Sequence, residues 1–191
     1  VETLANVPHI IERGADWFAG HGRRARKGLR SFSVSGRVRK PGVHLAPAGI
    51  SARELIEEYC GGMLPGHDFY AYLPGGASGG ILPAAMGDIP LDFDTLNEFG
   101  CFIGSAAVIV LSQRDRARDA ALNVMKFFAE ESCGQCVPCR VGTVRQEESL
   151  RRLAAGQPLG SRTSEVALIE ELAMVMRDAS ICGLGHTAST A

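Results

Sequence analysis

Glu131-Ser132-Cys133-Gly134-Gln135-Cys136-Val137-Pro138-Cys139-Arg140-Val141-Gly142-Thr143 is the stretch on which the reading of this chain turns. Three cysteines stand three residues apart, and a fourth, Cys182, follows in Ser180-Ile181-Cys182-Gly183-Leu184-Gly185. A single tetrahedral zinc is ordinarily held by two separated Cys/His pairs, and a third cysteine at the same close spacing crowds one metal atom. A cuboidal iron–sulfur cluster has the opposite requirement, because each thiolate binds a different iron. Cys133, Cys136, Cys139 and Cys182 therefore match the ligand pattern of a [4Fe–4S] centre. A zinc site and a disulfide framework stay open as alternatives for this spacing. Gly134 removes a side chain where backbone passes close to sulfur, and Pro138 stiffens the loop and withholds an N–H. Arg140 brings a positive charge beside an anionic cluster, which favours the reduced state.

Working outward, the flanks of this motif are helical. Residues 115–131 put Ala117, Ala121, Val124, Met125 and Phe128 on one face. Residues 143–154 read as a helix with Leu150 and Leu153 inward, and residues 164–177 as one with Leu168, Leu172 and Val175 toward a core. The turn Gly156-Gln157-Pro158-Leu159-Gly160 separates these two. His186 lies close to Cys182 and is a candidate for tuning a metal site; His9, His21, His44 and His67 read as surface or turn residues.

Upstream the pattern changes. Residues 31–38 alternate as a strand, Pro41-Gly42 turns, and residues 43–45 form a short partner strand. Ser51-Ala52-Arg53-Glu54 is a capping box that opens a helix through Tyr59, stopped by Gly61-Gly62. Residues 69–73 and the apolar run 106–111 are two further strands. Hairpin, helix, then more strands imply an α+β domain with a mixed sheet on one helix. Residues 3–19 read as a helix that Thr3 caps, with Leu4, Val7, Ile10, Ile11, Ala15 and Phe18 at helical spacing. A lone amphipathic helix cannot bury its apolar face by itself.

Three other segments have a plain reading beside a functional one. Arg23-Arg24-Ala25-Arg26-Lys27 is a solvated loop or an anion contact. Residues 74–83, with four glycines and a serine, are a plain loop or a phosphate cradle, although the full phosphate-loop pattern is missing. Asp88, Asp92 and Asp94 do not match a calcium loop and read as a solvated edge.

Composition sets the outer bounds. The 191 residues are 46% hydrophobic and 21% charged, with a net charge of -1, which is ordinary for a folded soluble chain. The near-neutral balance offers no field for nucleic acid, and no stretch approaches the roughly 20 apolar residues of a membrane span. Of six cysteines, Cys60 and Cys101 stand alone and read as buried small hydrophobes. This cysteine usage suits a reducing compartment, so a cytoplasmic location is expected.

The cysteine motif, with Ile181-Cys182-Gly183-Leu184-Gly185, resembles the cluster-binding region of the NADH-binding flavoprotein subunit of respiratory complex I and its relatives. Ser33-Val34-Ser35-Gly36-Arg37-Val38 and Pro74-Gly75-Gly76 resemble that family's soluble-ligand-binding β-grasp (SLBB) domain, and Val1-Glu2-Thr3-Leu4 the segment after its flavin-binding asparagines. Within the family, residues 75–83, 100–105 and 177–180 look most like the beta subunit of NAD-dependent, molybdenum-containing formate dehydrogenases, with diaphorase subunits of NAD-reducing hydrogenases close by. The resemblance implies three parts. Residues 1–30 would complete a flavin-binding domain, residues 31–113 form the SLBB domain, and residues 114–191 form a helical bundle binding [4Fe–4S]. It further implies that Thr3 and Leu184 lie near FMN, and that partner subunits carry a [2Fe–2S] cluster and a molybdenum or other cluster-bearing centre. Family members place the Rossmann-like FMN and NADH sites ahead of the Val-Glu-Thr-Leu segment, so hydride exchange with NAD(H) is expected outside these residues. What these residues are expected to do is pass single electrons between FMN and the cluster.

Overall fold

Phe32 and Val34 point to the same side of strand β1 (Leu29–Gly36) and are almost fully buried, while Ser33 and Ser35, which alternate with them, are exposed. That period of two makes one face of the strand a core wall. The computed structural model describes residues 2–190, apart from the side chain of Thr3. Among the described residues it is a mixed α+β chain with one five-stranded sheet and seven α-helical segments. Its contacts divide into two units, Val1–Arg114 and Asp115–Ala191.

In the first unit β1 pairs antiparallel with β2 (Gly42–Pro47), the hairpin anticipated from Pro41-Gly42. Strands β3 (Phe69–Leu73), β4 (Leu82–Pro83) and β5 (Ala107–Ser112) complete the order β2-β1-β5-β3-β4. β5 runs parallel to β1, with Val34 opposite Val108, and antiparallel to β3. The sheet's inner face packs on helix α3 (Ala52–Glu54), which continues as a π-helical turn over Leu55–Tyr59. The capping box is present in full: Ser51 Oγ accepts the Glu54 N–H, and Glu54 Oε2 accepts the Ser51 N–H at 2.9 Å. Such a cap is worth about 1 kcal/mol. Phe32, Ile50, Leu55, Tyr72, Leu96 and Ile103 form the centre of a dry core, each contributing roughly 1.5–3 kcal/mol of burial.

Several expectations need correction in this unit. The N-terminal helix is two pieces, α1 (Glu2–Arg13) and α2 (Ala15–Ala19), because Gly14 sits at φ +90° and breaks the ladder. Thr3 lies inside α1 and is not its cap; its side chain lies outside the described residues. Asp92 is not a solvated edge. It is 7% exposed and faces Arg26 Nε at 3.2 Å, with Arg30 nearby. The arginine loop is likewise engaged within the unit, Arg23 with Glu58 and Arg24 with Glu54, both at 2.8 Å. Gly75 and Gly79 of residues 74–83 serve close packing: a Cβ on them would stand 2.3 Å and 2.8 Å from the Phe102 carbonyl oxygen.

The second unit holds helices α4 (Ala117–Glu131), α5 (Val137–Ala155), α6 (Arg162–Ala179) and α7 (Gly183–Thr187). α4 buries Val124, Met125 and Phe128, as its periodicity indicated. α5 and α6 do not follow theirs. Leu150 and Leu153 are only half-buried, and the inward side of α5 is Cys139, Gly142, Thr143, Gln146 and Ser149. On α6, Leu168 and Val175 face solvent, while Glu165 and Met176 are buried. The physical reason is a polar seam. Glu165 accepts Arg152 Nε at 3.1 Å and the Leu159 N–H at 2.6 Å; Gln146 Nε2 donates to the Ile169 carbonyl at 3.0 Å. Once each polar group has a partner, it can take an interior position that hydrophobicity alone assigns to leucine.

Candidate metal centre

α4 ends at Ser132, whose backbone turns extended, and the chain then passes through Gly134 at φ +76°. That left-handed conformation costs an L-residue about 1–2 kcal/mol and glycine almost nothing. The turn reverses the chain so that Cys133, on the loop, and Cys136, at the N-cap of α5, fall on the same side as Cys139 in the first turn of α5. α5 therefore begins within the cysteine motif, six residues earlier than the periodicity suggested, with Pro138 among its first positions. Pro138 fits there because the N–H it lacks has no helical partner at a first turn. Arg140 reaches back, and its Nη1 donates to the Gly134 carbonyl at 2.6 Å, clamping the loop. The fourth cysteine, Cys182, is the N-cap of α7.

All four cysteines line one cavity of about 340 Å³, completed by Glu131, Ser132, Gln135, Ile181 and Leu184. Cys139 is buried, Cys136 half-buried, and Cys133 and Cys182 are exposed. The four thiols share this cavity, and among the described residues no three Cys, His, Asp or Glu side chains are placed to hold a single metal ion. None of the six cysteines is in a disulfide.

Two of the cysteines sit in opposite electrostatic surroundings. N–H groups of Ile181 and then Cys139 hold the Cys136 thiol below its ordinary value. Burial pushes the Cys139 thiol up, opposed by the Ser132 hydroxyl, whose Oγ lies 3.4 Å from its sulfur. The N-terminal end of α5, 19 residues long, adds its own positive end. Ser180 Oγ is fully buried and has no hydrogen-bond partner. Four thiols on one cavity, backbone and hydroxyl donors aimed at sulfur, and an unmet buried hydroxyl together fit an iron–sulfur cluster, whose sulfurs accept such bonds.

Leu184 lines the cavity beside Cys182 and is half-buried. His186 does not point its hydrogen-bonding to sulfur; its Nε2 bonds the Ser180 carbonyl at 2.8 Å. Cys60 and Cys101 belong to the sheet core, where burial pushes the Cys60 thiol up to about 11. Ser132 and Ser180 escaped the sequence reading. The only signal for them was position, one residue before the first cysteine and two before the last.

Comparison with known proteins agrees with this geometry. Residues 119–191 match the NADH-ubiquinone oxidoreductase-F iron-sulfur binding region. The F 2 subunit of the NADH-quinone oxidoreductase of Rhizobium meliloti is 41% identical over 189 residues, covering 99% of this chain and 44% of that protein. The HndC subunit of the NADP-reducing hydrogenase of Solidesulfovibrio fructosivorans is 37% identical, covering 98% and 38%. The mitochondrial NADH-ubiquinone oxidoreductase 51 kDa subunit of Neurospora crassa is 39% identical, covering 97% and 38%. The crystal structure of an NAD⁺-reducing [NiFe]-hydrogenase in the H2-reduced state contains a chain similar at a TM-score of 0.82 and 31% identity, covering 99% of this chain and 31% of that one. The chain thus spans less than half the length of these relatives. It belongs to the family of the F subunit of NADH-quinone oxidoreductase and its mitochondrial 51 kDa counterpart, and its residues 119–191 are that family's iron–sulfur binding region.

Proposed function

We propose that this chain is the one-electron portion of an NAD(H)-linked flavoprotein oxidoreductase, with Cys133, Cys136, Cys139 and Cys182 as the ligands of its [4Fe–4S] cluster. The observation that carries the reading is the single cavity lined by all four thiols. Bound there, the cluster supplies reversible exchange of one electron at a time. The chain's own residues hold and tune it. α5 presents Cys136 and Cys139 from a rigid helix start, the Arg140 clamp fixes the loop that carries Cys133, and the Gly183–Thr187 helix fixes Cys182. The N–H and hydroxyl groups around sulfur stabilise added negative charge.

In this reading residues 31–113 are the SLBB β-grasp domain, and residues 114–191 the helical cluster-binding domain. Residues 1–30 complete a flavin-binding domain. The exposure of Leu4 and Ile11 on α1, 73% and 80%, supports that last assignment, since a helix that completes another domain leaves its apolar side bare here. FMN and NAD(H) are bound by that flavin-binding domain. Leu184 keeps water from the gap between flavin and cluster, so Leu184→Asp, with the flavin domain present, should slow electron passage to the cluster and leave flavin reduction by NADH near normal. An unchanged rate would overturn that role.

Segments 75–83, 100–105 and 177–180 support a formate dehydrogenase setting, with a [2Fe–2S] subunit and a molybdenum-bearing subunit as partners in the cytoplasm. The names of the relatives support complex I or a hydrogenase diaphorase as the alternative. The subunits that co-purify with the full complex decide between them. For the cluster itself, anaerobically purified protein should be brown, with iron and sulfide in near-equal amounts. Colourless protein holding about one zinc per chain would sink the reading in favour of a zinc-stabilised interaction module.

A further inference from the structure

Ser180 follows the last turn of α6 as its C-cap, in extended backbone. Its backbone is satisfied on both sides: its N–H bonds the Met176 carbonyl at 3.1 Å, and its carbonyl accepts from the His186 ring at 2.8 Å. Only its hydroxyl is unmet, in a side chain 9% exposed. Gly185 packs directly on it: a Cβ built on that glycine would stand 2.3 Å from Ser180 Oγ and 3.1 Å from the Cys139 Cβ. A buried hydroxyl without a partner is destabilising, and native structures rarely keep one unless something absent satisfies it.

Gly185, which packs on this hydroxyl, packs on Cys139 as well, and Cys182 follows two residues on, so the cysteine sulfurs are the acceptors in its neighbourhood. A neutral thiol is a weak acceptor, whereas a thiolate bound to iron is a permanent anionic one. We infer that the Ser180 hydroxyl donates a hydrogen bond to a sulfur of the bound cluster and thereby raises the reduction potential of the site. The sign follows from charge: reduction adds an electron, the sulfurs become more negative, and a fixed donor stabilises that state more than the oxidised one. Ser132 is a different case. Its Oγ already accepts the Gly134 N–H while lying 3.4 Å from the Cys139 sulfur, so it is not waiting for a partner.

The inference rests on the cluster reading above, and the test separates the two. Wild-type protein, Ser180→Ala and Ser180→Thr are purified anaerobically, assayed for iron and sulfide, and titrated against potential by visible absorbance. Ser180→Ala should keep its iron and titrate at a more negative potential. At fixed potential the ratio of reduced to oxidised cluster should fall three- to tenfold, where tenfold is about 59 mV for one electron. Ser180→Thr, which keeps the hydroxyl, should return toward wild type. With the metal removed, Ser180→Ala should melt no lower than wild type, because the hydroxyl it deletes has no partner there. An unchanged potential in iron-replete Ser180→Ala would overturn the inference and leave the cluster reading standing. A lower melting temperature of metal-free Ser180→Ala would also overturn it, by exposing a structural partner. Should Ser180→Ala lose iron, retention by Ser180→Thr supports the hydroxyl's role and loss by both refutes it. Wild-type protein with zinc and no sulfide would end both proposals.

Discussion

The two units solve the problem of an interior in opposite ways. The sheet unit is dry at its centre: Phe32, Ile50, Leu55 and Ile103 are fully buried among other apolar side chains. The helical unit buries Gln146, Ser149 and Glu165 beside its apolar Val124, Met125, Phe128 and Met176, and Arg152 and Ser189 tie those polar groups into a seam. Apolar burial supplies most of the favourable free energy of folding, whereas a satisfied polar network contributes little net stability and mainly selects one arrangement. The contrast teaches that the sheet unit can hold itself together, while the helical unit leans on whatever its four cysteines bind.

Removing iron should therefore produce the largest and most lopsided effect. Gathering thiolates without a metal gains nothing, and much of a small metal site's folding free energy is metal-binding free energy. Amides between residues 132 and 188 should lose at least a hundredfold of hydrogen-exchange protection, about 2.7 kcal/mol, while β1, β3 and β5 keep theirs. Equal protection of the cysteine loop with and without iron would break the comparison.

How much of this was legible in the sequence follows the same divide. The strand over residues 69–73, the hairpin at Pro41-Gly42 and the Ser51 capping box were readable because each is fixed by neighbours in the chain. The parallel pairing of β1 with β5 was not, since Val34 and Val108 meet only through the fold. The two-residue strand β4 is too short to leave a period. In the helical unit the cysteine spacing and the buried face of α4 were plain, yet the faces of α5 and α6 were misjudged. Leu168 and Val175 look like core and are exposed, because the interior positions go to residues with hydrogen-bond partners. Hydropathy cannot show that a glutamate will find an arginine 13 residues away.

Acid should probe the seam next, with a smaller effect. The Arg152 guanidinium, and then the Leu159 N–H, hold the Glu165 carboxyl at about 2 in place of its ordinary 4.5. A depressed carboxylate contributes stability that is complete above 4.5 and is lost as pH falls toward 2. In the sheet unit Arg24 depresses Glu54 similarly, but that side chain is 29% exposed, so solvent screens its contribution. Iron-replete protein should thus loosen first in the helical unit between pH 4.5 and 2. Glu165→Gln should lower that unit's melting temperature near neutral pH and flatten its dependence across the window. Hydrogen exchange that opens the sheet first, or an unflattened profile in Glu165→Gln, would contradict this.

The smallest expected effect is the sharpest test of where the two interiors differ. Cys101 and Cys139 are almost equally hidden, 4% and 6% exposed, and burial pushes both thiols up. Burial therefore does not separate a core cysteine from a ligand; the surroundings do. Cys101 and Cys60 are enclosed by apolar side chains, where a neutral thiol is simply a small hydrophobe. Cys139 shares a cavity with three other thiols and has the Ser132 hydroxyl at its sulfur. Cys60→Ala and Cys101→Ala should each cost the sheet unit about 1 kcal/mol through the small cavity left behind and leave iron content unchanged. Cys139→Ala, an equally conservative deletion of one buried sulfur, should lose the iron. Iron loss in Cys60→Ala or Cys101→Ala would mean that the sheet unit is not the self-sufficient half, and that the four-thiol cavity is not the whole of the metal site.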